Sequence, residues 1–167
     1  MQLRELLLPE FDQEMQKTRT TLERVPEDKF AWQPHEKSMT LVDLTTHLAN
    51  VPSWAVFTLN DESFDLAPPD EEPRSMKAVS SVEEALERFD KNVSEAREAL
   101  VRSSNEDLDA GWTLLHAGQI IYSAPRISVF RSMVMNHMIH HRAQLGIYLR
   151  MNDVAVPSLY GPTADEA

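Results

Sequence analysis

Three of the six histidines in the chain fall within five residues, in the run Asn136-His137-Met138-Ile139-His140-His141-Arg142-Ala143-Gln144-Leu145. His137 and His141 are four positions apart, so on a helix they sit one above the other on the same face. Two imidazoles placed like this can bind one metal ion together, the geometric logic of a helical H-E-x-x-H. The apolar stripe of Ile127, Phe130, Val134, Leu145 and Tyr148 runs through both positions at the helical period. A buried polar group left without a partner costs about 1–3 kcal/mol. Two stacked imidazoles therefore need either a shared metal or separate hydrogen-bond partners in the core, and the pair alone fits both. His140 competes with His141, because i, i+3 from His137 also lies on one side of a helix. His140 and His141 stand about 100° apart around the helix, so they do not easily share one ion.

These residues need a long helix to hold them, and the pattern predicts one from about Pro125 to about Asn152, with Ser123 or Ala124 as cap and Pro125 in its first turn. A third ligand has to come from another element. Helix two is predicted to open at Ser38 or Thr40, with Thr40 and Asp43 in a capping-box arrangement. Its stripe is Leu41, Leu44, Leu48 and Val51. His47 neighbours that stripe and can point inward. Asp43 lies one turn before His47, where it serves either the cap or the histidine. Pro52 predicts a break, with helix resuming through Trp54, Phe57 and Thr58.

The remaining helices frame this pair. Helix one is predicted over Gln2 to Arg24, with Leu3, Leu7, Phe11, Met15, Thr18 and Leu22 on one face and Pro9 setting off the first turn. Helix three is predicted from a Ser80 or Ser81 cap to about Ser103 through Val82, Leu86, Phe89, Val93, Ala96 and Leu100, a plain core stripe. Between them, Phe30 and Trp32 read as loop anchors and His35 as a surface histidine. Asn60 to Ser80, rich in Pro and acid, reads as a long surface crossover that leaves helices two and three parallel. Asn105 to Ala124 is a second crossover, either a short hairpin or a packed lid loop around His116-Ala117-Gly118. His116 is then a turn histidine or part of a site rim. The apolar tail Val156 to Tyr160 is expected to pack on the bundle or on a partner chain. The fold expected from this pattern is all-α, four helices in a single domain over residues 1–167, with long crossovers between helices two and three and between three and four.

Composition narrows the function. Four glycines among 167 residues, with abundant Leu, Met, Ala, Glu and Arg, favour helix. With no cysteine there is no disulfide, no zinc ribbon and no cysteine nucleophile, so any thiol chemistry uses a thiol brought by the substrate. A formal net charge of −11 argues against a nucleic-acid partner. Leu6-Leu7-Leu8 is too short for a signal peptide, and no apolar run approaches a membrane span, so the expectation is a cytoplasmic protein with no membrane partner. His47, His137 and His141 together make a three-imidazole set with open positions, the kind found in catalytic centres. Imidazole alone does not select among zinc, nickel, iron and copper. Arg142 and Gln144 read as packing or ion-pair residues pointing elsewhere on the helix.

Taken with its spacing, this constellation resembles the DinB/YfiT superfamily. The matching residues are Thr46-His47-Leu48, the run His137 to Leu145 ending H-R-x-Q-L, and the tail motifs Val156-Pro157, Tyr160-Gly161-Pro162 and Ala164-Asp165-Glu166, with Ala143 where the family usually has glycine. The resemblance spans the whole chain. It implies a four-helix bundle of up-down-down-up topology. It implies one divalent ion per chain on His47, His137 and His141, zinc or nickel foremost with iron or manganese as further candidates, and a homodimer. It also implies a small-molecule substrate, in some members with a low-molecular-weight thiol such as bacillithiol or mycothiol. The expected function is a metal-dependent thiol S-transferase or hydrolase-like enzyme. The competing expectations are a non-catalytic metal- or small-molecule-binding dimeric bundle, and a purely structural bundle with core histidines.

Overall fold

The computed structural model describes residues 2–69 and 76–166. Residues 70–75 of the expected surface crossover lie outside the described residues. The elements in chain order are α1 (Leu3–Leu22), α2 (Leu41–Asn50), α3 (Trp54–Asn60), β1 (Ser63–Asp65), α4 (Val82–Arg102), α5 (Asn105–Asp109), β2 (Gly111–His116), β3 (Gln119–Pro125), α6 (Arg126–Val129) and α7 (His137–Met151). The protein is mostly helical.

Local chemistry accounts for most boundaries. The Thr40 hydroxyl accepts the Asp43 N–H at 3.2 Å and opens α2. Val51-Pro52-Ser53 forms a single tight turn between α2 and α3, where proline removes a ladder donor. Ser81 caps α4 by accepting the Glu84 N–H at 3.0 Å. The Glu84 carboxylate reaches back to the Ser80 N–H and hydroxyl at 2.8 and 2.7 Å. Pro9 does not separate the first turn as expected: α1 runs through it. Pro9 faces solvent, while Leu7, Phe11 and Met15 around it are buried in the shared core.

Pairs between helices fix their directions. Arg19 with Asp90 and Arg97 with Asp12 set α1 antiparallel to α4. Glu14 with Arg142, and Glu10 with Arg131 in the helical segment Phe130–Asn136 that leads into α7, set α1 parallel to α7. His47 beside His137, and the Tyr148 hydroxyl donating to the Met39 carbonyl, set α2 antiparallel to α7. α2 and α4 therefore run parallel, and α1 and α2 each pack on both α4 and α7. One buried cluster runs from Leu7 to Leu149, with Phe30 and Trp32 pinned against its edge; the Trp32 ring meets Tyr148 edge-on at 5.3 Å.

The expectation of an all-α chain is corrected by a three-stranded sheet in the order β1-β2-β3. β2 and β3 form an antiparallel hairpin, and β1 pairs parallel to β2 through Ser63 to Asp65. The hairpin turns at Ala117 (φ 51°) and Gly118 (φ 74°), left-handed positions that suit glycine and strain alanine. Asp65 offsets that strain from β1: its carboxylate accepts both turn amides, Ala117 N–H at 3.1 Å and Gly118 N–H at 2.8 Å. Phe64 stacks on Phe57 of α3 at 4.2 Å and ties the sheet to the helices.

The tail packs on the bundle through a buried ionic network. Arg142 is 2% exposed. Its guanidinium donates to the Glu14 carboxylate at 2.5 Å, the Glu14 carbonyl at 2.9 Å, the Thr18 hydroxyl at 3.2 Å, and the Tyr160 hydroxyl. Tyr160 in turn donates to Glu14. Burial alone would raise the Glu14 carboxyl, but hydrogen bonds from Tyr160 and Arg142 outweigh it and hold it below its ordinary value. Removing one member strands the other charge in the core. Arg142→Ala is thus expected to lower stability by about 3–5 kcal/mol in urea unfolding at neutral pH, whereas the double change Glu14→Leu with Arg142→Met recovers most of it. A loss below about 1 kcal/mol in the single variant would show that the pair does not anchor α7.

Candidate metal centre

α7 comes directly after a segment wound as a π-helix, Phe130–Asn136. Such a segment fits extra chain into each turn and shifts the phase of the residues beyond it. The buried residues are Val129, Phe130, Val134, Met135, Met138, Arg142, Leu145, Tyr148 and Leu149. His137 and His141 fall beside that row, half-buried, on the flank facing α2. They do not occupy the centre of the apolar stripe, as an unbroken 3.6 period predicted. The consequence is a polar cluster open on one side.

α2 supplies the third member. His47 Nε2 lies 2.7 Å from His137 Nε2. Ring centroids are 4.4 Å apart for His47 and His141, 4.4 Å for His137 and His141, and 5.0 Å for His47 and His137. One nitrogen from each of the three comes within 4.8 Å of the others, and no further histidine or carboxylate joins them among the described residues. Two nitrogens bound to one tetrahedral ion stand about 3.3 Å apart at ordinary metal–imidazole lengths. The donor set therefore fits one ion with small side-chain adjustments, and it leaves coordination positions open.

The cluster is held neutral. Burial first, then the neighbouring His141 and His137, push the His47 pKa down to about 4. Burial first, then His141 and His140, push His137 to about 4. His141 is also lowered by burial, against a hydrogen bond to Gln144 that favours its proton. Neutral imidazoles with free lone pairs are what a metal requires.

The other sequence candidates separate cleanly. The structure brings His141 into the cluster and leaves His140 exposed outside it. His35 is exposed, its Nδ1 accepting the Lys37 N–H at 3.1 Å. His116 ends β2 at the hairpin tip beside Asp65, away from the cluster. Asp43 is exposed and engaged with Thr40 in the cap. Two residues at the centre escaped the sequence reading. Gln144 does not point elsewhere: its Oε1 lies 2.7 Å from His141 Nδ1 and its Nε2 lies 3.1 Å from His140 Nε2. The i+3 and i+4 spacing carried that signal. Trp54 meets the His47 ring edge-on at 5.6 Å and the His137 ring at 5.1 Å. Its position two turns beyond His47 was the available clue.

Fold and site together define a helical bundle with a histidine triad between its second and last long helices. The chain matches the DinB superfamily over residues 10–145 and belongs to that superfamily. Its fold is similar to that of a DinB-like protein from Bacillus cereus, with TM-score 0.71, 18% identity, and 95% of this chain covering 98% of that one. It is also similar to a DinB-like protein from Bacillus subtilis, with TM-score 0.68, 16% identity, and coverage of 95% and 99%. No curated protein matches the chain. Among the described residues, no helix is long and apolar enough to cross a membrane.

A pH dependence arises from the lowered imidazoles. Below about pH 6.5 the unfolded chain takes up protons that folded His47 and His137 refuse until about pH 4. Stability of chelator-treated protein is therefore expected to fall as the pH drops from about 6.5 towards 4. Urea midpoints at pH 7 and pH 5 should differ less in His137→Gln than in wild type. An equal difference in both would show that His137 takes up its proton normally in the folded state.

Proposed function

We propose that His47, His137 and His141 hold one divalent metal ion, with zinc or nickel the first candidates and iron or manganese the next. We propose further that the protein is a metal-dependent enzyme acting on a small molecule, as a thiol S-transferase or a hydrolase-like enzyme. The supporting observation is the convergence of three neutral imidazoles with no fourth histidine or carboxylate beside them among the described residues, a set with open coordination positions that suits catalysis more than structure. When bound, such an ion supplies Lewis acidity that lowers the pKa of a thiol or water beside it. The chain's own residues do the rest. His47 from α2 and the pair from α7 clamp the centre between two helices. Trp54 walls one side and gives an apolar face against which a small substrate can pack. With no cysteine in the chain, a thiol has to arrive as a low-molecular-weight co-substrate. The proposed setting is a cytoplasmic homodimer without nucleic-acid or membrane partners.

One observation favours a second reading, a non-catalytic metal- or small-molecule-binding dimeric bundle. Asp43, the carboxylate nearest the triad in sequence on α2, is taken up by the helix cap, and no carboxylate joins the triad among the described residues. A thiol-conjugation screen against several electrophiles separates the two: turnover that depends on added metal supports the enzyme, and binding without turnover supports the alternative.

Metal content tests both at their root. Elemental analysis of untagged protein is expected to give about one ion per chain in wild type, His35→Ala and His140→Ala, and none in His137→Ala. Loss in His140→Ala would move the ligand from His141 to His140. Equal content in wild type and His137→Ala, or none in either after addition of zinc and nickel, would remove the proposed centre.

A further inference from the structure

We infer that Gln144 is a positioning residue that fixes His141 in the tautomer presenting Nε2 to the metal centre and keeps its neighbour His140 out of the ligand set. The inference rests on the metal proposal above and adds a residue to it. Gln144 Oε1 lies 2.7 Å from His141 Nδ1. A carboxamide oxygen only accepts, so the proton of the neutral ring sits on Nδ1. The lone pair then sits on Nε2, the ring nitrogen left free to face His47 and His137. The other end of the same amide completes the selection. Gln144 Nε2 only donates, and it lies 3.1 Å from His140 Nε2, so it occupies that lone pair.

The reverse orientation of the amide would not present a free His141 Nε2 to a metal. An NH2 group set against His141 Nδ1 would take its lone pair and send the ring proton to Nε2, into the cluster. An oxygen set against His140 Nε2 would require a proton there. One amide at i+3 from His141 and i+4 from His140 thus sorts two adjacent histidines into ligand and non-ligand, using contacts within a single helix. Among the described residues no group bonds to Nδ1 of His47 or His137, so this control acts on His141 alone. Groups that bond to the far nitrogen of a metal-bound imidazole set both its tautomer and its orientation.

The test uses full-length, 15N-labelled, chelator-treated protein, with long-range proton–nitrogen spectra to read each ring and zinc titration to read affinity. Wild type is expected to show His141 protonated at Nδ1 and bare at Nε2. Gln144→Leu, which keeps the bulk but loses both polar ends, is expected to shift His141 towards the Nε2–H form and weaken zinc binding about 10–100-fold. Gln144→Glu returns an acceptor to His141 and is expected to restore the Nδ1–H form and most of the affinity. A wild-type His141 protonated at Nε2, or a Gln144→Leu protein with unchanged tautomer and zinc affinity, would overturn the assignment. A wild type with His141 protonated at Nδ1 but no zinc binding would support the tautomer half and sink the metal reading beneath it.

Discussion

Everything at the centre depends on where α2 crosses α7. That crossing sets His47 Nε2 2.7 Å from His137 Nε2. Helix contacts of this kind are normally made by apolar side chains, because burying an unpaired polar group is costly. The crossing is nonetheless well supported around the histidines. Leu41, Leu44 and Leu48 of α2, with Met138, Leu145 and Leu149 of α7, are fully buried, and Tyr148 ties the end of α7 to the Met39 carbonyl. A rigid apolar contact thus holds the imidazoles together, and the site spends part of the stability which that contact supplies.

The same helix carries a second polar insertion on another face. Arg142 comes directly after His141, yet it is buried against Glu14 and Tyr160 on the α1 side. α7 therefore presents metal-competent imidazoles towards α2 and a charged anchor towards α1. Both faces are set by the same helix, and the tail is locked to the second through Tyr160. This gives the region His137 to Leu145 a structural reason for its density of polar residues apart from any chemistry.

Much of this was legible in the sequence, for local reasons. The i, i+4 histidine pair, the Thr40 and Ser81 caps and the break at Pro52 all arise from rules that act within one or two turns. His47 could be drawn in because its neighbours formed a clear stripe. The features that escaped reading were non-local or came from a phase change. β1 is three residues long and exists by pairing with β2 some 50 positions away, so no periodicity could announce it. The hairpin was one of two readings of the second crossover, and the Asp65 carboxylate that holds its turn comes from outside the hairpin. The π-wound segment moved the histidines from the stripe to its flank, because a 3.6 period was carried through a region that does not keep it. Gln144 was within reach of helix arithmetic, but its side chain was assigned to a different face.

The central claim is that three imidazoles, and no other protein group, form one metal shell. X-ray absorption of the zinc-loaded protein tests it most directly. The predicted spectrum has three histidine nitrogens at about 2.0–2.1 Å with their ring multiple scattering, completed by light atoms from solvent. A shell with one or two histidines, or with carboxylates making up the coordination, would contradict the claim and place the ion elsewhere on this acidic chain.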